Sequence, residues 1–331
     1  MSEGNFQLCQ SQPVHHYPIL KSIVNNLAFQ DLLSFREVCL SWKTVADQIL
    51  RTKGKLIIDG NDNFEKFLQV LRKAKPGSLP TTIVLRRVCI NDSFNFGLHA
   101  SLITSLTLSQ CNWNNDTMIM LCSQLTQLDT LCIEADPLQS SHSSSFIHNK
   151  SSVLLDHKYN FTNLTSLYIR GDHGFNIVAV LLLLRNSPNL KILTYKKINC
   201  TDSDIYGNWL QTKIFSSCAG IRNLNCLELD TPFRKQNFKI LMEVTFLMKL
   251  SINIEKDMLH DLMRTISHLK HLKCLEVGII DRVVLPGSSI MTDISNFCPN
   301  LEKVAIHSPN YPRITLVSVA CFMLEEMQLF L

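Results

Sequence analysis

From about residue 54 onward the chain repeats itself. A short motif of apolar, variable, apolar residues recurs at Leu56/Ile58, Ile83/Leu85, Leu106/Leu108, Leu131/Ile133, Leu167/Ile169, Leu193/Tyr195, Leu227/Leu229, Leu250/Ile252, Leu275/Val277, Val304/Ile306 and Met327/Leu329. Another apolar residue often stands three positions earlier, as Ile103, Leu128, Leu164, Leu190, Leu224, Leu247, Leu272, Leu301 and Leu324. Most centres are 23 to 29 residues apart, with two longer steps of 36 and 34. The alternation has strand period, so both apolar residues share one face and the variable residue takes the other. Between strands the period turns helical. Phe64, Phe67, Leu68 and Leu71 fall at helical spacing, as do Met118, Ile119, Cys122 and Leu125. Met258, Leu259, Leu262, Met263, Ile266 and Leu269 do the same behind Asp257, a candidate helix cap. One strand and one helix cannot bury their apolar faces alone, but stacked units can. The expected fold is α/β, a curved solenoid with parallel strands on the concave face and helices on the convex face. An ordinary α/β domain is the alternative, and the near-constant spacing disfavours it.

Spacing and Leu-x-x-Leu-x-Leu pattern resemble leucine-rich repeats. At Leu106-Thr-Leu-Ser-Gln-Cys111 a cysteine stands where the strand must bend away, as in the cysteine-containing class of these repeats. The two long steps hold Asp136–His157, serine-rich and expected to be a loop, and Ile198–Ala219, expected to carry an enlarged helical segment. The last repeat reads Leu324-Glu-Glu-Met327-Gln-Leu329, with no polar capping unit after it, so this end is expected to be covered by further chain or by another molecule.

Residues 15–52 have another character. Ile19, Leu20, Ile23 and Leu27 form one helical stripe; Asp31, Leu32 and Leu33 follow, then Arg36, Val38, Cys39, Trp42, Val45, Ala46 and Ile49. Such a short segment cannot bury so many large apolar side chains by itself, so the surplus is expected to face a partner or the first repeat. The order Ile-Leu-x-x-Ile, Leu-x-x-x-Asp-Leu-Leu, Arg-x-Val-Cys-x-x-Trp-x-x-x-Ala resembles an F-box. In place of that family's Leu-Pro start stands His15-His16-Tyr17-Pro18. The resemblance implies a flexible tail over 1–14, a three-helix F-box over 15–52 and a leucine-rich-repeat solenoid over 53–331. It also implies binding to the Skp adaptor, and through it to a cullin–RING ubiquitin ligase, with a protein substrate held by the repeats. The implied adaptor-binding residues are Pro18, Ile19, Leu20, Ile23, Leu27, Leu32, Leu33, Val38, Cys39 and Trp42. The outward strand residues expected to meet the substrate are Tyr168, Arg170, Thr194, Lys196, Glu228, Asp230, Ser251, Glu276 and His307, with Glu134 in the same row.

Composition narrows the function classes. Hydrophobic residues make up 46% and charged residues 18%, enough apolar content for a large core. The net charge of +4 is spread without a long basic run, which argues against nucleic acid as a main partner. The longest apolar run, Ile177 to Leu184, is far short of the ~20 residues a membrane helix takes. Residues 1–14 are polar and do not read as a secretory signal. Twelve cysteines without a C-x-x-C pattern suit a reducing compartment, so a cytoplasmic or nuclear location is expected. No Gly-rich phosphate loop, zinc spacing or Ser/His/Asp arrangement stands out, and neither cofactor nor metal is expected. The readings in order are a non-catalytic substrate receptor, a repeat scaffold outside any ligase, and a hydrolase-type enzyme.

Overall fold

The computed structural model describes residues 17–27, 31, 34–73, 79–91, 94–113, 115–134, 160–171, 177–197, 212–214, 216–218, 220–280, 298, 300–308 and 311–317. The repeated motif forms strands of one eleven-stranded sheet whose spatial order follows chain order. They are β1 (Lys55–Asp59), β2 (Thr82–Arg86), β3 (Ser105–Ser109), β4 (Thr130–Glu134), β5 (Ser166–Gly171), β6 (Ile192–Lys197), β7 (Cys226–Pro232), β8 (Lys249–Ile254), β9 (Cys274–Ile279), β10 (Lys303–Ser308) and β11 (Tyr311–Val317). From β1 to β10 every pairing is parallel. Sequential parallel neighbours are what units added one after another produce, a solenoid-like α/β architecture.

The register follows the motif. Leu56, Ile83, Leu106, Leu131, Leu167, Leu193, Leu227, Leu250, Leu275 and Val304 are cross-strand partners in one row. Ile58, Leu85, Leu108, Ile133, Ile169, Tyr195, Leu229, Ile252, Val277 and Ile306 form a second. Both rows are buried except half-buried Leu56. The helices α3 (Asn61–Lys73), α4 (Asn115–Gln124), α5 (Ile177–Arg185), α6 (Asn237–Leu241) and α7 (Leu259–Ile266) close the same core. They contribute Phe64, Phe67 and Leu71, Met118 and Cys122, Leu183 and Leu184, Phe238 and Leu241, and Leu262, Met263 and Ile266. Each such side chain contributes about 1.5–3 kcal/mol by leaving water.

Polar links fix the step between units. Where each strand begins, one carbonyl accepts from two successive N–H groups of the next unit. Thr104 O accepts from Asp129 and Thr130, Asp129 O from Thr165 and Ser166, Thr165 O from Lys191 and Ile192, and Lys191 O from Asn225 and Cys226. Asparagine amides add to the staple: Asn163 donates to Thr126 O at 2.6 Å, Asn189 to Thr162 O at 2.8 Å and Asn300 to Lys270 O at 3.1 Å. Where strands end, Gly60, Arg87 and Gln110 turn the chain away with positive φ of 80°, 51° and 54°. Their N–H groups donate to the carbonyls of Arg86, Ser109 and Glu134 on the next strand. Cys111 sits half-buried under that bend, its thiol donating to Leu85 O at 3.3 Å, the place its position in the repeat implied.

Residues 17–53 form their own small core. Helices α1 (Tyr17–Asn25) and α2 (Leu40–Lys53) bury Val24, Val45 and Ile49, with Leu20, Leu27, Phe35 and Leu50 packed against them. Residues 31, 34 and 35 are also helical, and Leu32 and Leu33 lie outside the described residues. The junction to the sheet is tight. Arg51 O, in the last turn of α2, accepts from Thr81 N–H at 3.0 Å, so the helix end stands where a preceding unit's carbonyl would. Gly54 follows with its N–H on Leu50 O, and a Cβ there would lie 2.1 Å from that oxygen.

Two findings depart from the sequence reading. The repeat motif did not point to 311–317; this strand runs antiparallel to β10, pairing Ile314 with Ile306 and Leu316 with Val304. It escaped notice because it lacks the leading Leu-x-x-Leu and its alternation, Ile-x-Leu, is short. Asp257 is no cap: a 3-10 turn, Lys256–Met258, precedes α7, whose N-cap is Met258 with no side-chain bond. Of the enlarged segment at 198–219, 212–214 and 216–218 are helical. The serine-rich loop and the expected strand at Met327/Leu329 lie outside the described residues.

Candidate functional site

Two surfaces carry the sequence-derived candidates. On the helical module Pro18 and Cys39 are exposed, and Leu20, Leu27 and Trp42 are half-buried. Large apolar side chains left in water are Ile23 at 54%, Val38 at 58% and Leu40 at 81%. Ile19's side chain, like Leu32 and Leu33, lies outside the described residues. Trp42 is not a free anchor: its ring stacks on Phe35 with centroids 4.0 Å apart. Arg36 pairs with Asp47 across the same turn at 2.5 Å, holding the 34–39 segment on α2. The sequence reading missed Leu40, because it opens α2 in a motif position written as variable. It also missed Val24, which belongs to the core while its neighbour Ile23 does not.

On the sheet, the variable residues line up by register. One outward row runs Thr107, Cys132, Tyr168, Thr194, Glu228, Ser251, Glu276. Another runs Ser109, Glu134, Arg170, Lys196 along β3 to β6. Arg170, Lys196 and Asp230 are exposed, and Tyr168, Glu228, Ser251, Glu276 and His307 are half-buried. Thr194 is buried, at 7% exposure, and donates to Glu228 Oε2 at 3.4 Å. Glu228 also pairs with Lys249 on β8, a residue the sequence reading left out since it precedes the repeat's own strand leucine. That hydrogen bond holds the Lys249 ammonium above the usual lysine range, against the pull of burial.

After Leu229 the ladder between β7 and β8 shifts register, pairing Pro232 with Asn253. Asp230 then accepts from Asn253 Nδ2 at its side chain, 2.9 Å, and at its carbonyl, 3.0 Å. The next position is Gly278, where a Cβ would meet Asn253 Oδ1 at 1.9 Å and His307 Nε2 at 2.9 Å. Only glycine lets Asn253 and His307 close over β9. His307 Nδ1 is buried there without a hydrogen-bond partner.

Among the described residues no three His, Cys, Asp or Glu side chains are grouped to hold a metal. A cavity of about 300 Å³ between α4 and the turn before β5 is lined by Cys122, Ser123, Asn160, Phe161 and further apolar, Thr and Asn residues, with no acid or imidazole. Its one thiol is inert, since burial pushes Cys122 up to about 12. Burial likewise pushes Cys111, Cys132 and Cys298 up to about 11 and Cys218 to about 12. No helix among the described residues is long and apolar enough to cross a membrane. No protein-family model matches the chain, and no curated protein does either.

Proposed function

We propose that this chain is the substrate-recognition subunit of a Skp–cullin–F-box ubiquitin ligase. Residues 15–52 bind the Skp adaptor, and the outward strand face of a leucine-rich-repeat solenoid receives a protein substrate. The carrying observation is the surplus of apolar side chains on the helical module. Its core closes around Val24, Val45 and Ile49, yet Ile23, Val38 and Leu40 remain more than half exposed. Three large apolar side chains left in water on so small a unit support a partner site. The chain itself catalyses nothing; it acts by raising the local concentration of substrate beside enzymes that other subunits carry.

A repeat scaffold outside any ligase is the second reading. The bond from Thr81 to Arg51 O favours it, since it makes α2 a cap for the sheet. Copurification with the Skp adaptor decides between them. The 331-residue chain should retain purified adaptor, and Trp42→Ala, which removes the ring stacked on Phe35, should release it while the sheet stays folded. A wild-type chain that holds no adaptor overturns the ligase reading and leaves the scaffold.

A further inference from the structure

Arg170 and Lys196 are direct cross-strand partners on β5 and β6, and both are exposed. Neighbouring strands lie about 4.8 Å apart, so two like charges sit side by side on a rigid face, an arrangement that is destabilising on its own. The carboxylates that would neutralise them are near, but the fold commits two of them elsewhere. Glu228, on the next strand, is held by Lys249 and Thr194. Asp230 is drawn away by the register shift after Leu229 and bound by Asn253. Glu134 is the register partner of Arg170 on its other side, yet among the described residues neither Arg170 nor Lys196 forms an ion pair.

We propose that the Arg170–Lys196 pair is the receiving point for an acidic segment of the partner protein, one oxyanion side chain bridging guanidinium and ammonium. This rests on the outward sheet face being the partner-binding face. Arg offers a planar fork and Lys a point charge, and both bond a carboxylate or phosphate more strongly than a neutral acceptor. Half-buried Tyr168 and buried Thr194 are the preceding same-face pair on the two strands, so the cations stand beside a partly dehydrated surface. The occupant is acidic polypeptide rather than basic, because Arg170 and Lys196 are two exposed cations, Asp230 and Glu228 are engaged within the chain, and Glu134 is a single half-buried carboxylate beside them.

The test uses the full chain and fluorescein-labelled peptide pools with degenerate flanks and fixed central glutamates, phosphoserine or glutamines, read by fluorescence anisotropy. The glutamate or phosphoserine pool should bind at least about tenfold tighter than the glutamine pool, with affinity falling as salt rises. Whichever acidic pool binds names the source of the oxyanion. Arg170→Glu with Lys196→Glu should abolish that binding, and the neutral Arg170→Gln with Lys196→Gln should weaken it. Reversing Arg86, an exposed cation on β2, should leave it unchanged. Equal binding of all three pools, or acidic binding that survives the double reversal, overturns the proposal. Adaptor retention measured on the same variants keeps the outcomes separate. Adaptor binding without acidic-pool binding refutes only this inference, whereas loss of adaptor binding in the wild type refutes the ligase reading.

Discussion

Leu40 offers the sharpest separation of binding from folding. It opens α2 and is 81% exposed, so its isobutyl group contributes almost nothing to the free chain. Leu40→Ala removes three carbons, each worth about 0.8 kcal/mol when fully buried. Scaled to the exposed share, an interface that covers this residue should lose about 2 kcal/mol, close to thirtyfold in Kd. Alanine is the best helix former, so the stability of the free chain should move by no more than about 0.5 kcal/mol. Val45→Ala makes the opposite case: Val45 is 1% exposed, and its truncation should cost about 1–3 kcal/mol of stability before any partner is added. Calorimetric titration of purified adaptor, with thermal unfolding of each variant, measures both quantities. Unchanged adaptor affinity in Leu40→Ala would show that Leu40 is not in the contact. A large drop in unfolding temperature for Leu40→Ala would show that exposure misjudges its role.

Gly54→Ala should destabilise the junction by about 1–3 kcal/mol, because the new Cβ would lie 2.1 Å from Leu50 O; an unfolding temperature equal to wild type would refute this. The Glu228–Lys249 pair should matter below the ordinary lysine pKa and fade above it: Lys249 is raised in the fold, so its contribution is complete at neutral pH and lost as pH climbs through the folded value. The stability difference between wild type and Lys249→Met should therefore shrink above about pH 10, and a difference that grows there would contradict the pairing. Maleimide labelling of the folded chain at neutral pH, mapped by peptide mass, should reach exposed Cys39 and Cys89 quickly and spare Cys111, Cys122, Cys132, Cys218 and Cys298. Rapid labelling of Cys122 or Cys218 would mean that the helix layer opens.

The sheet was legible because a two-residue period tied to a unit of about 25 residues leaves few alternatives. Ten strands and their two inward rows fall on the residues that the motif named, since each inward leucine is worth more buried than any local preference opposes. Four of the misses share a cause: they depend on neighbours in space, not on period. The register shift that turns Asp230 toward Asn253 comes from β7 and β8 together. Thr194 is outward by alternation, yet Glu228 beside it takes its hydroxyl and leaves it buried. Trp42 reads as a free aromatic until Phe35 is laid against it. Capping failed at Asp257 for the same reason, as a 3-10 turn takes up the first residues and moves the helix start past the acid.

The junction makes the two proposed surfaces one device. A binding module on a loose tether would hold its partner at a distance set by linker length, and the local concentration it creates would fall as the linker grows. Here α2 runs into β1 with a single residue between, Gly54, and Arg51 O is bonded to the second unit through Thr81. Exposed Leu40 and Val38 stand at the start of the same helix whose end is locked to the sheet. A partner bound there is therefore oriented relative to β1, and each strand from β3 to β10 is stepped from its predecessor by paired N–H bonds to one carbonyl. The direction from Leu40 to Arg170 and Lys196 is thus set by hydrogen-bonded steps instead of chain statistics, which is the property that the proposed proximity-driven receptor would use.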